Sequence, residues 1–240
     1  MTKLKALLFD KDGTLVDFAI TWNGAASAVL ATLAGDDDAI HSKLAAILHF
    51  DRATGAIQPT SPFVGGTVID IAAHFAPVVG IDPADHDGFV DRLSRLFNEG
   101  ALASVAPIGD PFGLLTSLKA EGYLLGIVTN DTESGARAQS EKLGLDALFD
   151  AIIGYDSGHG RKPDPGQIHA FMTAFGVEPE ATALIGDTLH DLDAARAAGV
   201  MAIGVASGYL SADDLAPHAD HVISDIMMLP RLLNYLIELN

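Results

Sequence analysis

Two aspartates separated by one residue stand in the segment FDKDGT, at the end of the first apolar run of the chain. Asp10 and Asp12 follow the run Ala6–Phe9, Gly13 permits a sharp turn, and Thr14 can hydrogen-bond within that turn. Both carboxylates can therefore face one site, although an Asp-Gly pair alone is a common surface turn. The complete DKDGT string directly after an apolar run favours a site that uses carboxylate chemistry.

A second pair of aspartates closes a later apolar run, in the segment LIGDTLHD. Asp187 lies at the end of the run, and Asp191 follows four residues later on the same face of the first turn of a helix. Such a pair can simply complement the dipole of a helix N-terminus. Combined with Asp10, however, the two carboxylates supply the hard oxygen ligands that Mg²⁺ prefers, with water and a phosphate oxygen completing an octahedron.

Three further polar residues could bind phosphate. Thr129 and Asn130 end the run in GIVTND, where a hydroxyl group and backbone N–H groups are available, although both residues would also suit the cap of the next helix. Lys162 lies in GRKPDP, where Pro163 restricts the lysine to an extended backbone. In a chain with only 14 basic residues, this loop is a better candidate for phosphate capture than most, although it could also be a solvated basic loop.

These residues lie at or after the ends of short apolar runs that are typical of buried parallel strands. The runs are 6–9, 124–128, 151–153, 183–185 and 202–205, and amphipathic stretches at 133–143, 167–175 and 191–198 lie between the last four. This alternation predicts an α/β fold with a doubly wound parallel sheet and a Rossmann-like core. Sheets of this kind bind ligands beyond the carboxyl ends of their strands.

The interval 18–98 interrupts this alternation, because it has no strand-like runs. Periodic apolar residues predict helices at 22–33, 40–50, 67–75 and 88–97, with connecting loops rich in Gly, Pro and Asp. We therefore expect residues 1–17 and 99–240 to form an α/β catalytic core, and residues 18–98 to form an inserted α-helical cap domain.

Composition narrows the classes of function and of partner. The chain has 240 residues, of which 49% are hydrophobic and 19% charged, as in a globular protein. Its net charge of -18 disfavours nucleic acid and anionic membrane as partners. The absence of cysteine excludes disulfides, thiolate metal ligands and a thiol nucleophile. Neither a signal peptide nor a membrane span is indicated, so we expect a cytoplasmic protein.

The ordered motifs resemble those of the haloacid dehalogenase superfamily along the whole chain. They are DKDGT at 10–14, TN at 129–130, KP at 162–163 and GDTLHD at 186–191. The helical insertion between the first two motifs and the run DLDAARAAGV resemble the subclass that includes phosphoglycolate phosphatases. The resemblance implies a Mg²⁺-dependent phosphatase acting on a small phosphorylated metabolite, with 2-phosphoglycolate favoured. The segment DFAITW differs from the Asp-Ser that commonly follows the first motif in phosphoglycolate phosphatases, which leaves the substrate open.

The resemblance also implies a role for each motif residue. Asp10 would be the nucleophile that forms an aspartyl-phosphate, and Asp12 would act first as general acid and then as general base. Mg²⁺ would be held by the side chains of Asp10 and Asp187 and by the backbone carbonyl of Asp12. Thr129, Asn130 and Lys162 would bind the transferred phosphoryl group. Thr14 and Asp191 would not bind the metal directly but would orient the residues that do.

Three other functions share parts of this pattern. A sugar-phosphate mutase would return the phosphoryl group to a bound intermediate instead of to water. A phosphonate hydrolase would need a cap lysine to form an imine; Lys43 is the only lysine in the cap interval, but Asp12 suits an oxygen leaving group. A receiver-like, non-catalytic phosphate-binding protein is disfavoured by the length and the motif order. The oligomeric state stays open, and exposed cap hydrophobes could support a homodimer.

Overall fold

The computed structural model describes residues 3–238, which divide into two compact units. One unit contains residues 3–17 and 106–238, and the other contains Phe18–Val105. The sequence placed the second boundary after residue 98, which lies inside the helix His86–Ser104. The boundary lies further along the chain because this helix continues to bond within its own unit, where the Ser104 hydroxyl donates to the carbonyl of Thr21 at 3.2 Å.

The unit Phe18–Val105 is mainly helical. Its helices are α1 (Phe18–Ala34), α2 (Asp38–Leu48), α3 (Val68–Val79) and α4 (His86–Ser104). It also contains a two-stranded antiparallel hairpin, Phe50–Asp51 paired with Ala56–Ile57, in an interval for which the sequence predicts no strands. The hairpin begins where α2 ends, because His49 adopts a left-handed conformation with φ 48° that stops the helix before Phe50.

A six-stranded sheet forms the centre of the other unit. Its strands are β1 (Ala6–Phe9), β2 (Leu124–Val128), β3 (Ala151–Ile153), β4 (Thr182–Gly186), β5 (Met201–Val205) and β6 (His221–Ile223). The order in space is β3-β2-β1-β4-β5-β6, and every neighbouring pair is parallel. The doubly wound parallel sheet predicted from the sequence is therefore confirmed.

The remaining helices alternate with these strands. They are α5 (Pro111–Ala120), α6 (Glu133–Lys142), α7 (Gly166–Phe175), α8 (Leu189–Ala198), α9 (Ala212–Leu215) and α10 (Leu229–Glu238). Phe171 of α7, Leu192 and Ala195 of α8, and Leu8 and Leu184 of the sheet belong to one buried apolar cluster. Within residues 3–238, none of the helices combines the length and the apolar character that crossing a membrane requires.

The crossing of α1 and α4 depends on a residue without a side chain. A Cβ atom added at Gly100 of α4 would lie 2.7 Å from both the Cα and the Cβ atoms of Ala25 on α1. Ala25 is buried, and a backbone atom cannot swing aside as the end of a flexible side chain can. Gly88, near the start of α4, has open space around the same position.

We expect the substitution Gly100→Ala to lower the free energy of unfolding by about 1–3 kcal/mol, because the added methyl group forces the two helices apart. Gly88→Ala is the matched control in the same helix. It should raise the free energy of unfolding by up to about 1 kcal/mol, since alanine favours a helix over glycine. Denaturant unfolding of both variants measures these values, and equal effects of the two substitutions would contradict the close crossing.

Candidate active site

Asp10 lies at the carboxyl end of β1, where the strand order of the sheet reverses direction. Its backbone N–H donates to the carbonyl of Ile185 at 2.8 Å, which extends the pairing with β4 by one residue. The side chain is buried, and its Oδ1 atom accepts a hydrogen bond from Nζ of Lys162 at 2.6 Å. Backbone pairing therefore sets the position of this carboxylate, and the lysine sets the orientation of one of its oxygens.

The Asp187 carboxylate, next to the end of β4, is enclosed by two glycines. Gly13 has a φ angle of 81°, and a Cβ atom at either Gly13 or Gly208 would overlap the Asp187 carboxylate. The hydroxyl of Thr14 donates to Oδ1 of Asp187 at 3.2 Å, and the hydroxyl of Ser207 donates to the carbonyl of Gly13 at 2.8 Å. The turn after β1 and the loop after β5 together hold this carboxylate in place.

Lys162 is held at both its backbone and its side chain. The Asn130 amide forms two hydrogen bonds of 2.9 Å with the lysine backbone, donating to its carbonyl and accepting from its N–H. At the other end, Nζ donates to Oδ1 of Asp10 at 2.6 Å and to Oδ1 of Asp191 at 2.5 Å. Although burial lowers it, the pKa of Lys162 is raised overall by these two carboxylates, so the ammonium group stays charged.

Asp191 lies at the first turn of α8 with no exposed surface. Its Oδ2 atom accepts hydrogen bonds from the backbone N–H of Thr188 at 3.0 Å and from the Thr188 hydroxyl at 2.7 Å, which form part of a capping box. Both carboxylate oxygens of Asp191 thus already accept hydrogen bonds, one from Lys162 and the other from Thr188. The sequence left two interpretations of Asp191 open, a residue that caps a helix and a residue of the site, and the side chain makes the contacts of both.

The three carboxylates of Asp10, Asp187 and Asp191 form one buried group, with an oxygen from each lying within 4.8 Å of the others. Burial raises the pKa of Asp10 from 3.8 to about 7, with Asp191 and Asp12 adding to the rise and Lys162 opposing it. Burial, followed by repulsion from Asp10 and Asp191, also raises the pKa of Asp187 well above 3.8. Lys162 offsets part of the negative charge, so the donor set fits a hard divalent cation.

Thr129 and Asn130 follow β2 at the same edge of the sheet. The Thr129 N–H donates to the carbonyl of Ile153 at 3.0 Å, and its own carbonyl accepts from Nε2 of Gln167 at 2.8 Å. The Thr129 hydroxyl oxygen accepts from the N–H of Asp131 at 3.1 Å, which leaves the hydroxyl hydrogen available as a donor. The Asn130 side chain bonds to the Lys162 backbone, so a contact of Asn130 with phosphate would use its backbone N–H.

The structure places the carboxylate of Asp12 beside Lys11. Nζ of Lys11 lies 2.8 Å from Oδ1 and 2.7 Å from Oδ2 of Asp12, so the predicted contact of Asp12 with a metal would use its backbone carbonyl. The sequence reasoning did not identify Lys11, Ser207, Gly208 or Gln167 as parts of the site. Ser207 and Gly208 follow a recognised apolar run, so inspection of the residues after that run could have found them.

Comparison with known proteins identifies the family to which this sequence is similar. The sequence model described as "Haloacid dehalogenase-like hydrolase" matches residues 31–205. The chain is similar to the phosphoglycolate phosphatase of Rhodospirillum rubrum, with 35% identity covering 85% of this chain and 80% of that protein. It is also similar to the phosphoglycolate phosphatase of Mesorhizobium japonicum, with 32% identity covering 85% and 83%.

The fold is also similar to that of solved structures. A crystal structure of a predicted phosphoglycolate phosphatase from Haemophilus somnus superimposes with a TM-score of 0.74, covering 97% of this chain and 99% of that one. The two sequences are 20% identical, so this likeness concerns the fold alone.

We expect Mg²⁺ to stabilise the EDTA-treated protein more at pH 8 than at pH 5. The pKa of Asp10 is raised from 3.8 to about 7 in the folded protein, so between these pH values the folded state keeps a proton that the unfolded state has lost. The free energy of unfolding of the metal-free protein therefore falls as the pH rises through that interval. At pH 8 the ionised Asp10 carboxylate can bind the cation, whereas at pH 5 binding must first displace its proton. A Mg²⁺ concentration 100-fold above its Kd should add about 2.7 kcal/mol to the free energy of unfolding.

Thermal unfolding with and without Mg²⁺ at the two pH values measures this difference. The variant Asp187→Asn should lose most of the Mg²⁺-induced rise in unfolding temperature, because a ligand oxygen and its charge are removed at almost constant volume. An equal rise at both pH values, or an unchanged rise in the variant, would contradict the metal site.

Proposed function

The chain belongs to the haloacid dehalogenase-like hydrolase family and is a phosphatase, and we propose that it hydrolyses a small phosphate monoester through an aspartyl-phosphate on Asp10. The observation that supports this chemistry best is the buried ion pair between Asp10 and Lys162, beside the carboxylates of Asp187 and Asp191. A carboxylate can attack an anionic phosphoryl group only when nearby positive charge offsets their repulsion. Lys162 supplies part of that charge at the attacking atoms.

In the first half-reaction, a carboxylate oxygen of Asp10 forms a bond to phosphorus while the bond from phosphorus to the ester oxygen breaks. Asp12, as a carboxylic acid, gives its proton to the departing oxygen. The transferred group carries its charge on three equatorial oxygens. The Thr129 hydroxyl, the Asn130 backbone N–H and the Lys162 ammonium are the donors that we assign to those oxygens.

In the second half-reaction, water attacks phosphorus and the bond between phosphorus and Asp10 breaks. Asp12, now a carboxylate, accepts the proton that the water loses, so the enzyme returns to its starting state with release of inorganic phosphate. One residue thus serves both half-reactions, because the first leaves it in the protonation state that the second requires.

The metal ion that we propose is Mg²⁺. The side chains of Asp10 and Asp187 and the backbone carbonyl of Asp12 would hold it, and Thr14 and Asp191 would orient the site, Thr14 through its bond to Asp187. When bound, Mg²⁺ supplies positive charge that neutralises phosphate oxygens. The two glycines beside Asp187 support this assignment, since they bring its carboxylate into close contact with the backbone.

We propose 2-phosphoglycolate as the preferred substrate. This proposal is supported by the names of the two relatives described above, which cover most of the chain. The segment that begins at Asp17 differs from the Asp-Ser expected of phosphoglycolate phosphatases, so the choice of ester needs a separate test from the chemistry. A small phosphorylated metabolite also agrees with a net charge of -18, which disfavours large polyanions.

The substitution Asp10→Asn should reduce Mg²⁺-dependent phosphate release by roughly 1,000-fold or more, because it removes the nucleophile at nearly constant volume. The exposed residue Asp213 of α9 provides the matched control, and Asp213→Asn should keep wild-type activity. Circular dichroism would establish that both variants are folded. Wild-type turnover by folded Asp10→Asn would contradict the assignment of the nucleophile.

A panel of phosphate compounds tests the substrate. We expect the highest kcat/KM with 2-phosphoglycolate, lower values with sugar phosphates and pyrophosphate, and loss of release from all of them with EDTA. A preference for another ester would overturn the substrate but keep the chemistry. Phosphate release that requires a sugar bisphosphate activator would instead favour a mutase.

A further inference from the structure

Lys11 is a buried lysine between two motif aspartates. It is only 1% exposed, although an ammonium group is costly to bury unless charged or polar partners surround it. Its Nζ atom lies within 2.8 Å of both carboxylate oxygens of Asp12. Both oxygens of the Asp12 carboxylate are therefore held against the same ammonium group.

Two residues hold the Lys11 ammonium group from the other side. Nζ donates to Oε1 of Gln139 at 2.8 Å and lies 3.2 Å from Oδ2 of Asp131. Gln139 is 1% exposed, and its Nε2 atom donates to the same Asp131 oxygen at 3.3 Å, which turns Oε1 towards the lysine. Asp131 in turn donates its backbone N–H to the Thr129 hydroxyl at 3.1 Å. A continuous series of ion pairs and hydrogen bonds thus connects Asp12, through Lys11 and Asp131, with the turn at Thr129.

We propose that Lys11 is a positioning residue, which holds the Asp12 carboxyl group in place for proton transfer and connects it to the turn that carries Thr129. This inference rests on the proposed function, in which Asp12 is the general acid and base. Lys11 acts through Asp12 and is not assigned any contact with the substrate. The alternative is that Lys11 serves only as the buried counter-ion of Asp131 and contributes only to stability.

The leaving group of the substrate separates these two roles. An alkoxide is a poor leaving group and needs the proton of Asp12, whereas 4-nitrophenolate departs without one. The value of kcat/KM covers the steps up to departure of the leaving group, so it reports the half-reaction in which Asp12 is the acid. A loss of Asp12 positioning must therefore affect an alkyl phosphate much more than 4-nitrophenyl phosphate.

The experiment compares Lys11→Met with wild type on the best alkyl phosphate of the panel and on 4-nitrophenyl phosphate. We expect the ratio of the two kcat/KM values, alkyl over aryl, to fall by at least roughly 10-fold, since general acid catalysis contributes that much or more. Lys142→Met, on the exposed face of α6, is the matched control and should keep the wild-type ratio. Equal losses on both substrates, or no loss on either, would overturn the positioning role.

A second set of variants keeps the inference testable if Lys11→Met does not fold. Gln139→Leu leaves the charges of the cluster unchanged and removes the amide that accepts from Lys11 and donates to Asp131, so the same ratio should fall by a smaller factor. In an Asp12→Asn background, Gln139→Leu should lower the alkyl value by less than about threefold, because the residue through which it acts is gone. If Gln139→Leu lowers kcat/KM for the alkyl phosphate by the same factor in the Asp12→Asn background as in wild type, the proposal is overturned.

The wild-type measurement separates this inference from the proposed function. Absence of turnover on every ester would overturn the proposed function and the role of Lys11 with it. Metal-dependent turnover by wild type with an unchanged substrate ratio in folded Lys11→Met and Gln139→Leu would overturn only the role of Lys11.

Discussion

The burial of three carboxylates around one lysine is the constraint on which the site depends. Asp10, Asp187 and Asp191 repel one another, and burial together with this repulsion raises the pKa values of Asp10 and Asp187, while Lys162 lowers them in part. Folding tolerates the arrangement because each side chain is fixed by other bonds, such as those from Thr14 to Asp187 and from Thr188 to Asp191. The free energy stored in this repulsion is what gives such a site affinity for a cation.

The sheet order explains how distant segments of chain meet at this point. β1 lies between β2 and β4, so the residues after three strands converge at the edge where the direction of winding reverses. Lys162 and Asp10 are 152 positions apart in sequence, yet Nζ of the lysine reaches the carboxylate at 2.6 Å. The Asn130 amide makes this possible, since it fixes the backbone of a loop that is not part of any strand.

The sequence predicted those features that leave a local pattern. The runs 6–9, 124–128 and 151–153 match observed strands, because buried parallel strands are continuously apolar. The strand His221–Ile223 was missed, since it begins with a histidine and all three of its residues are only half-buried. Lys11 was also missed, because a lysine beside an aspartate is usually solvated. The placement of Gln139, 128 positions later in the chain, together with that of Asp131, shows that its ammonium group is enclosed.

The strong negative charge of the chain does not conflict with a phosphate-binding site. Exposed charges are screened over about 8 Å at physiological ionic strength, so most of the surface carboxylates contribute little at the end of β1. The contacts of Lys162 with Asp10 and Asp191, at 2.6 and 2.5 Å, are buried and therefore much less screened. In the proposed function, recognition of a phosphate group would therefore be decided by the few groups at the strand ends. The net charge would act mainly against large polyanions, whose many phosphates would each meet the acidic surface.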